Sequence, residues 1–73
     1  MTETRTLDAR GLSCPQPAIM AKQAMKNMES GSIVVIIDSG TARDNIQRIA
    51  GMAGWSVEVE ERLDDELRLI LTR

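Results

Sequence analysis

Apolar residues recur with two different spacings along this chain. Thr6-Leu7-Asp8-Ala9 alternates polar and apolar, the period of a short strand, and Gly11 ends it. Residues 1–4 are polar and are expected to fray. From Pro15 the spacing becomes helical: Ala18, Ala21, Met25 and Met28 share a face, with Ala24 beside them. Pro15 and Pro17 suit a first turn, where a helix has no partner for the N–H that proline lacks. Gly31 reads as the stop, so the first helix is expected over about 15 to 29. Ser32 to Asp38 is an unbroken Val/Ile-rich run between turn residues, the pattern of a central strand buried on both faces or nearly so. Ser39-Gly40 is the turn after it, and Thr41 is the expected cap of a second helix, with Asp44 near its positive end. Ile46, Ile49, Ala50 and Ala53 give that helix its apolar stripe, and Gly54 suits its C-terminal stop. Trp55, Val57 and Val59 alternate with polar residues, as Leu67, Leu69 and Leu71 alternate with Arg68, Ile70 and Thr72; Arg62 to Asp65 is the turn of this hairpin.

The resulting order is β-α-β-α-β-β. It predicts an α+β two-layer sandwich: a mixed four-stranded sheet with two helices on one face. The chain has 73 residues, without repeats or linkers, and is expected to form a single domain over 1–73. A domain this short buries only about 60% of the surface its unfolded chain exposes, which favours a carrier or binding module over an enzyme with an enclosed cavity.

Composition narrows the function further. The net charge is −2 and the only aromatic residue is Trp55, so neither a strong basic field nor a set of stacking rings recommends nucleic acid as a ligand. The absence of histidine removes the commonest general base and zinc ligand, and no metal site is expected. A single cysteine excludes an intramolecular disulfide and points to a reducing compartment. The segment Met1-Thr2-Glu3-Thr4-Arg5 lacks the apolar run of a signal peptide, and the longest apolar run, Ile33 to Ile37, is far short of a membrane span. A cytoplasmic, monomeric protein is the expectation.

The chemistry concentrates in Arg10-Gly11-Leu12-Ser13-Cys14-Pro15-Gln16-Pro17. Cys14 stands just before the expected helix, where unpaired N–H groups and the helix dipole stabilise an anion. That placement lowers a thiol's pKa below the free value of about 8.5 and raises its nucleophilic fraction. The two prolines hold the turn in place but remove two N–H donors, which limits the effect. The same residue also fits an inert role, since free cysteines are often small core residues; position and prolines alone leave both readings open. Without a histidine or a second cysteine, hydrolysis and a CxxC redox couple are excluded. What remains is chemistry that one sulfur performs: transfer, or a mixed disulfide.

The run Gly11-Leu12-Ser13-Cys14-Pro15-Gln16-Pro17, after a strand and opening a helix, resembles the Cys-Pro-x-Pro signature of the TusA/SirA/YedF family of sulfur carriers. The resemblance covers about residues 6 to 72, including Thr41-Ala42-Arg43-Asp44 at the second helix and the closing hairpin. It implies the two-layer fold, with Cys14 carrying sulfur as a persulfide and no cofactor besides that covalently held sulfur. Pro15 and Pro17 would shape the helix start, and Gly11 and Leu12 the approach of the loop. The partners it implies are a cysteine desulfurase or other donor protein and an acceptor protein, in tRNA thiolation, molybdenum cofactor assembly or sulfur oxidation. The stretch Thr41 to Val59 and the residues to Glu60 look closer to the YedF-like branch, so a selenium-linked or redox-linked carrier is the alternative within the family. A regulatory or nucleic-acid-binding module is the alternative outside it.

Arg10, Lys22, Arg43 and Asp44 are candidate partner contacts. The three cations are expected to form a basic rim near Cys14 if both helices begin at one sheet edge; taken singly, each reads as a solvated surface charge. Met25 and Met28 are expected in the core, Met20 beside the site or the core, and Trp55 in the core.

Overall fold

The computed structural model describes residues 4–12, 16–61 and 66–73. The described residues form β1 (Thr4–Asp8), α1 (Gln16–Lys26), β2 (Ser32–Ile37), α2 (Gly40–Met52), β3 (Ser56–Glu61) and β4 (Leu67–Thr72). The four strands make one mixed sheet in the order β1-β2-β4-β3, with β1 parallel to β2 and the other two pairings antiparallel. The predicted element order and sandwich class are both present. The expected hairpin turn at Arg62 to Asp65 lies outside the described residues, as do residues 1–3.

The register explains which face the helices cover. Leu7, Val35, Leu69 and Val59 stand side by side across the sheet, and Ile33, Leu71 and Val57 form the next row. Ile33, Val35, Ile37, Leu69 and Leu71 are fully buried and share one core with Ala18, Ala21, Ala24 and Met25 of α1 and Ala42, Ile46 and Ala50 of α2. The small alanines let both helices approach the sheet closely, and the branched and leucine side chains fill the layer between. The opposite face carries Val34, Ile36 and Ile70, all half-buried. The Ser32–Ile37 run is therefore buried on one face only, which corrects the expectation of burial on both; its place in the interior of the sheet shields the second face only in part.

Element boundaries depart from the sequence reading in three places. Helix α1 stops at Lys26, not near 29. Asn27 still donates to the Gln23 carbonyl at 3.1 Å, but Met28 donates to Met25 at 3.3 Å, so the last turn tightens and drops Met28 into the core. Gly31 accordingly is not the helix stop. It pairs with Arg73 through two backbone bonds of 3.1 and 3.0 Å and extends the β2–β4 ladder by one rung. Thr4 and Arg5, expected at or next to the frayed end, belong to β1 opposite Ser32 and Ile33.

The cap of α2 is Ser39, not Thr41. Ser39 has extended dihedrals, and its hydroxyl accepts from the Ala42 N–H at 3.1 Å. Gly40 opens the helix, so Thr41 lies within its first turn and Asp44 beyond that turn, too far on to act as a helix-start residue. The buried stripe is Ala42, Ile46 and Ala50; Ile49 is partly buried, and Ala53 caps the C-terminus and is exposed. Gly54 ends the helix as expected: it carries φ +85°, its N–H donates to Gly51 at 3.2 Å, and the Trp55 N–H donates to Ala50 at 2.9 Å. This pair of bonds turns the chain so that Trp55 enters the core, 4% exposed.

Among the described residues, no helix is long and apolar enough to cross a membrane.

Candidate functional site

Because β1 and β2 are parallel, α1 and α2 both begin at the sheet end where those strands finish. The chain from Asp8 to Leu12 leaves β1 at that end, and α1 begins at Gln16. Cys14 and Pro15 fall between the two, outside the described residues, together with Ser13. The flanks of the segment are described, and they are firmly held.

Ala9 is buried and its N–H donates to the Ile36 carbonyl at 2.8 Å, carrying the β1–β2 pairing one residue past the strand. Arg10 grips Asp8 through two guanidinium bonds of 2.9 Å, and its backbone N–H donates to the same carboxylate at 3.2 Å. The far side of the guanidinium reaches Glu66 at 3.2 Å, and Arg68 holds the other oxygen of Glu66 at 3.1 Å. The Gly11 N–H donates to an Asp38 carboxylate oxygen at 3.0 Å. Gly11 has φ +77°, a left-handed conformation that costs L residues roughly 1–2 kcal/mol, which accounts for glycine here. On the other flank Pro17 is buried in the first turn of α1. The loop is thus tied on one side to the end of β2 and on the other to the start of β4.

The hydrogen bond from the Arg10 side chain, followed by that from its backbone N–H, holds the Asp8 carboxyl at about 2, and the same pairing raises the Arg10 guanidinium above its ordinary value. The unfolded carboxyl titrates near 3.9. The native state therefore disfavours protonation: the pair's contribution is complete above about pH 4 and is lost as pH falls through about 2. Both side chains are about half exposed, so solvent screening keeps the contribution small. The Asp8 side-chain titration followed by NMR is expected to have its midpoint near 2 in the native protein and to move up toward about 4 in Arg10→Gln.

Of the three cations of the expected rim, Arg10 and Arg43 both neighbour Glu66, whereas Lys22 lines a different groove; the place of such a rim beside Cys14 lies outside the described residues. Arg10 is engaged by two carboxylates, Asp8 and Glu66. Arg43 bonds to the exposed Asp44 at 3.3 Å and lines a concavity of about 400 Å³ with Asp38, Glu61 and Glu66, so acids outnumber bases there. Lys22 lies further along α1 and lines a separate groove of about 840 Å³ near the C-terminal ends of both helices, with Met25, Met28, Met52 and Trp55. Met20, Met25 and Met28 pack on or in the core.

The structure adds residues that the sequence pattern did not single out. Asp38 and Glu66 hold the loop from 27 and 56 residues away, separations at which no local periodicity relates two positions. Ile19 is 48% exposed, and Leu12, which the family resemblance already assigns to the loop, is 37% exposed; both are large apolar side chains. The alanine stripe places Ile19 on the outer face of α1, a signal the sequence contained.

Comparisons with known proteins agree with this arrangement. The family model described as Sulfurtransferase TusA matches residues 5–73. A protein of Halobacterium salinarum named "Putative sulfur carrier protein" is 36% identical over 64 residues, covering 85% of this chain and 79% of that one. A protein of Aquifex aeolicus bearing the same name is 48% identical over 44 residues, 58% of this chain; the match spans only 22% of its length. The crystal structure of a SirA-like protein from Desulfitobacterium hafniense superposes with a TM-score of 0.90 at 30% identity, over 93% of this chain and 95% of that one.

Proposed function

The chain belongs to the sulfurtransferase TusA family, and from that we propose that it is a sulfur carrier whose Cys14 takes sulfur from a donor persulfide and passes it to an acceptor protein. The observation that carries this reading is that the family model spans the segment holding the only thiol. The anchored flanks support it. Cys14 stands two residues before Gln16, the first residue of α1, and the positive end of a helix favours a thiolate or a persulfide anion.

In the loading step the Cys14 thiolate attacks the outer sulfur of a donor R–S–SH. A new S–S bond forms to Cys14 as the donor's S–S bond breaks, and the donor leaves as R–S⁻. No net oxidation occurs and no cofactor is consumed. Unloading is the same exchange with an acceptor thiolate in the attacking role. The exposed Leu12 and Ile19, which flank the Cys14 segment in the chain, supply an apolar contact for these partners, and Arg43 and Asp44 a polar edge. Donor identity, acceptor identity and the choice of sulfur over selenium rest on partners, and the YedF-like alternative uses the same thiol.

The test is intact-mass spectrometry after incubation with a cysteine desulfurase and cysteine. A gain of one sulfur atom, reversed by a thiol reductant, is expected. No gain with several desulfurases, from protein whose Cys14 still reacts with iodoacetamide, overturns the relay.

A further inference from the structure

We propose that the groove between the C-terminal halves of α1 and α2 binds a small anionic amphiphile, an alkyl tail with a carboxylate head. The proposal is independent of the carrier reading, since it uses no part of the Cys14 segment. The groove has a volume of about 840 Å³, inside the roughly 300–1,000 Å³ typical of small-molecule sites. Much of its lining is apolar: Met25, Met28 and Trp55 from the core, with Ile49 and Met52 of α2 beside them. Met52 is 83% exposed, a large apolar side chain that a bound tail would cover. Methionine is flexible and polarisable, so three of them can follow the shape of an alkyl chain.

The charge of the groove selects the head group. Lys22, Lys26 and Arg73 line it and are all exposed. Lys22 and Lys26 are one turn apart on α1 and share a face. Among the described residues, none of these three is held in an ion pair, whereas Arg10, Arg43 and Arg68 are each bonded to a carboxylate. Glu29 and the partial negative charge at the two helix ends oppose an anion here, and three full cations face them. The extent of the groove selects a small ligand over a protein. Ten described residues line it, where a stable protein interface takes about 20–30 residues a side.

The test uses decanoate, kept below its micellar concentration. Decyltrimethylammonium supplies a tail of the same kind under the opposite charge, and acetate the head without the tail. Trp55 is the only aromatic residue and lines the groove, so its fluorescence reports occupancy. Decanoate is expected to shift Trp55 emission along a saturable curve and to raise the melting temperature, as a ligand of the native state does. Decyltrimethylammonium and acetate are expected to do neither. Lys22→Gln combined with Lys26→Gln changes two exposed positions, so the variant should fold as the native protein does. It should bind decanoate about five-fold more weakly, in line with the usual strength of two exposed ion contacts. Met52→Glu, also at an exposed position, sets a like charge against the head and should weaken binding at least as much. Four results overturn the proposal: no saturable response to decanoate, an equal response to the cationic tail or to acetate, a melting temperature that falls with decanoate, or an affinity unchanged in both variants. None of them bears on sulfur loading at Cys14, which the mass measurement decides separately.

Discussion

Cys14→Ser is expected to gain no sulfur at all under conditions where the native protein is fully loaded. The chain has one cysteine, so no second thiol can stand in for it. A serine hydroxyl is almost wholly protonated at neutral pH and cannot attack a persulfide at a useful rate, and no stable oxygen analogue of the Cys14–S–SH bond would survive to be passed on. Mass spectrometry reads the result directly, and transfer of labelled sulfur to any acceptor protein should fall to the background of the donor alone. The substitution exchanges one small side chain for another, so the melting temperature should move little and loss of loading cannot be laid to unfolding. A Cys14→Ser protein that still gains reducible sulfur would place the carrier atom elsewhere and overturn the assignment.

Leu69→Ala is expected to cost about 2–5 kcal/mol of stability, the range for truncating a buried leucine. A chain of this length has roughly 4–10 kcal/mol in total at usual per-residue values, so the loss is a large fraction of the whole. Leu69 is fully buried and lies between Val35 on β2 and Val59 on β3, in the core that the sheet shares with the helices. Neighbours on a sheet interior cannot collapse into the space, which pushes the cost toward the upper part of the range. The comparison is Ile70→Ala, one residue on and facing the open side of the sheet, where a half-buried side chain is worth about 1 kcal/mol. Denaturant unfolding measures both through the shift in midpoint at constant slope. Equal losses at the two positions would mean that the open face is covered as fully as the helical one, contrary to the architecture described.

The same contrast shows how the sequence pattern performed. Alternation from Val57 to Val59 and from Leu67 to Leu71 named the buried face of the hairpin correctly, because one-face burial writes its period into the chain. The Ile33–Ile37 run carried no such period. An interior strand tolerates apolar residues on its partly shielded face, so the pattern overstated burial there. Helix ends were misplaced where two residues compete for one role. Ser39 and Thr41 can each cap a helix, and only the path of the chain out of β2 selects Ser39. Gly31 resembles a helix stop until the Arg73 backbone is found opposite it.

The order of elements, the two core faces and the identity of the one candidate nucleophile were settled by local sequence. Each depends on spacing within a window of a few residues, or on there being a single cysteine to choose. The strand order β1-β2-β4-β3, the tethering of Gly11 by Asp38 and of Arg10 by Glu66, and the separation of Lys22 from Arg10 and Arg43 were decided by the tertiary structure alone. These are contacts between residues far apart in the chain. Their energies depend on which strands pair and where helices end, and no periodicity within one element encodes the position of another.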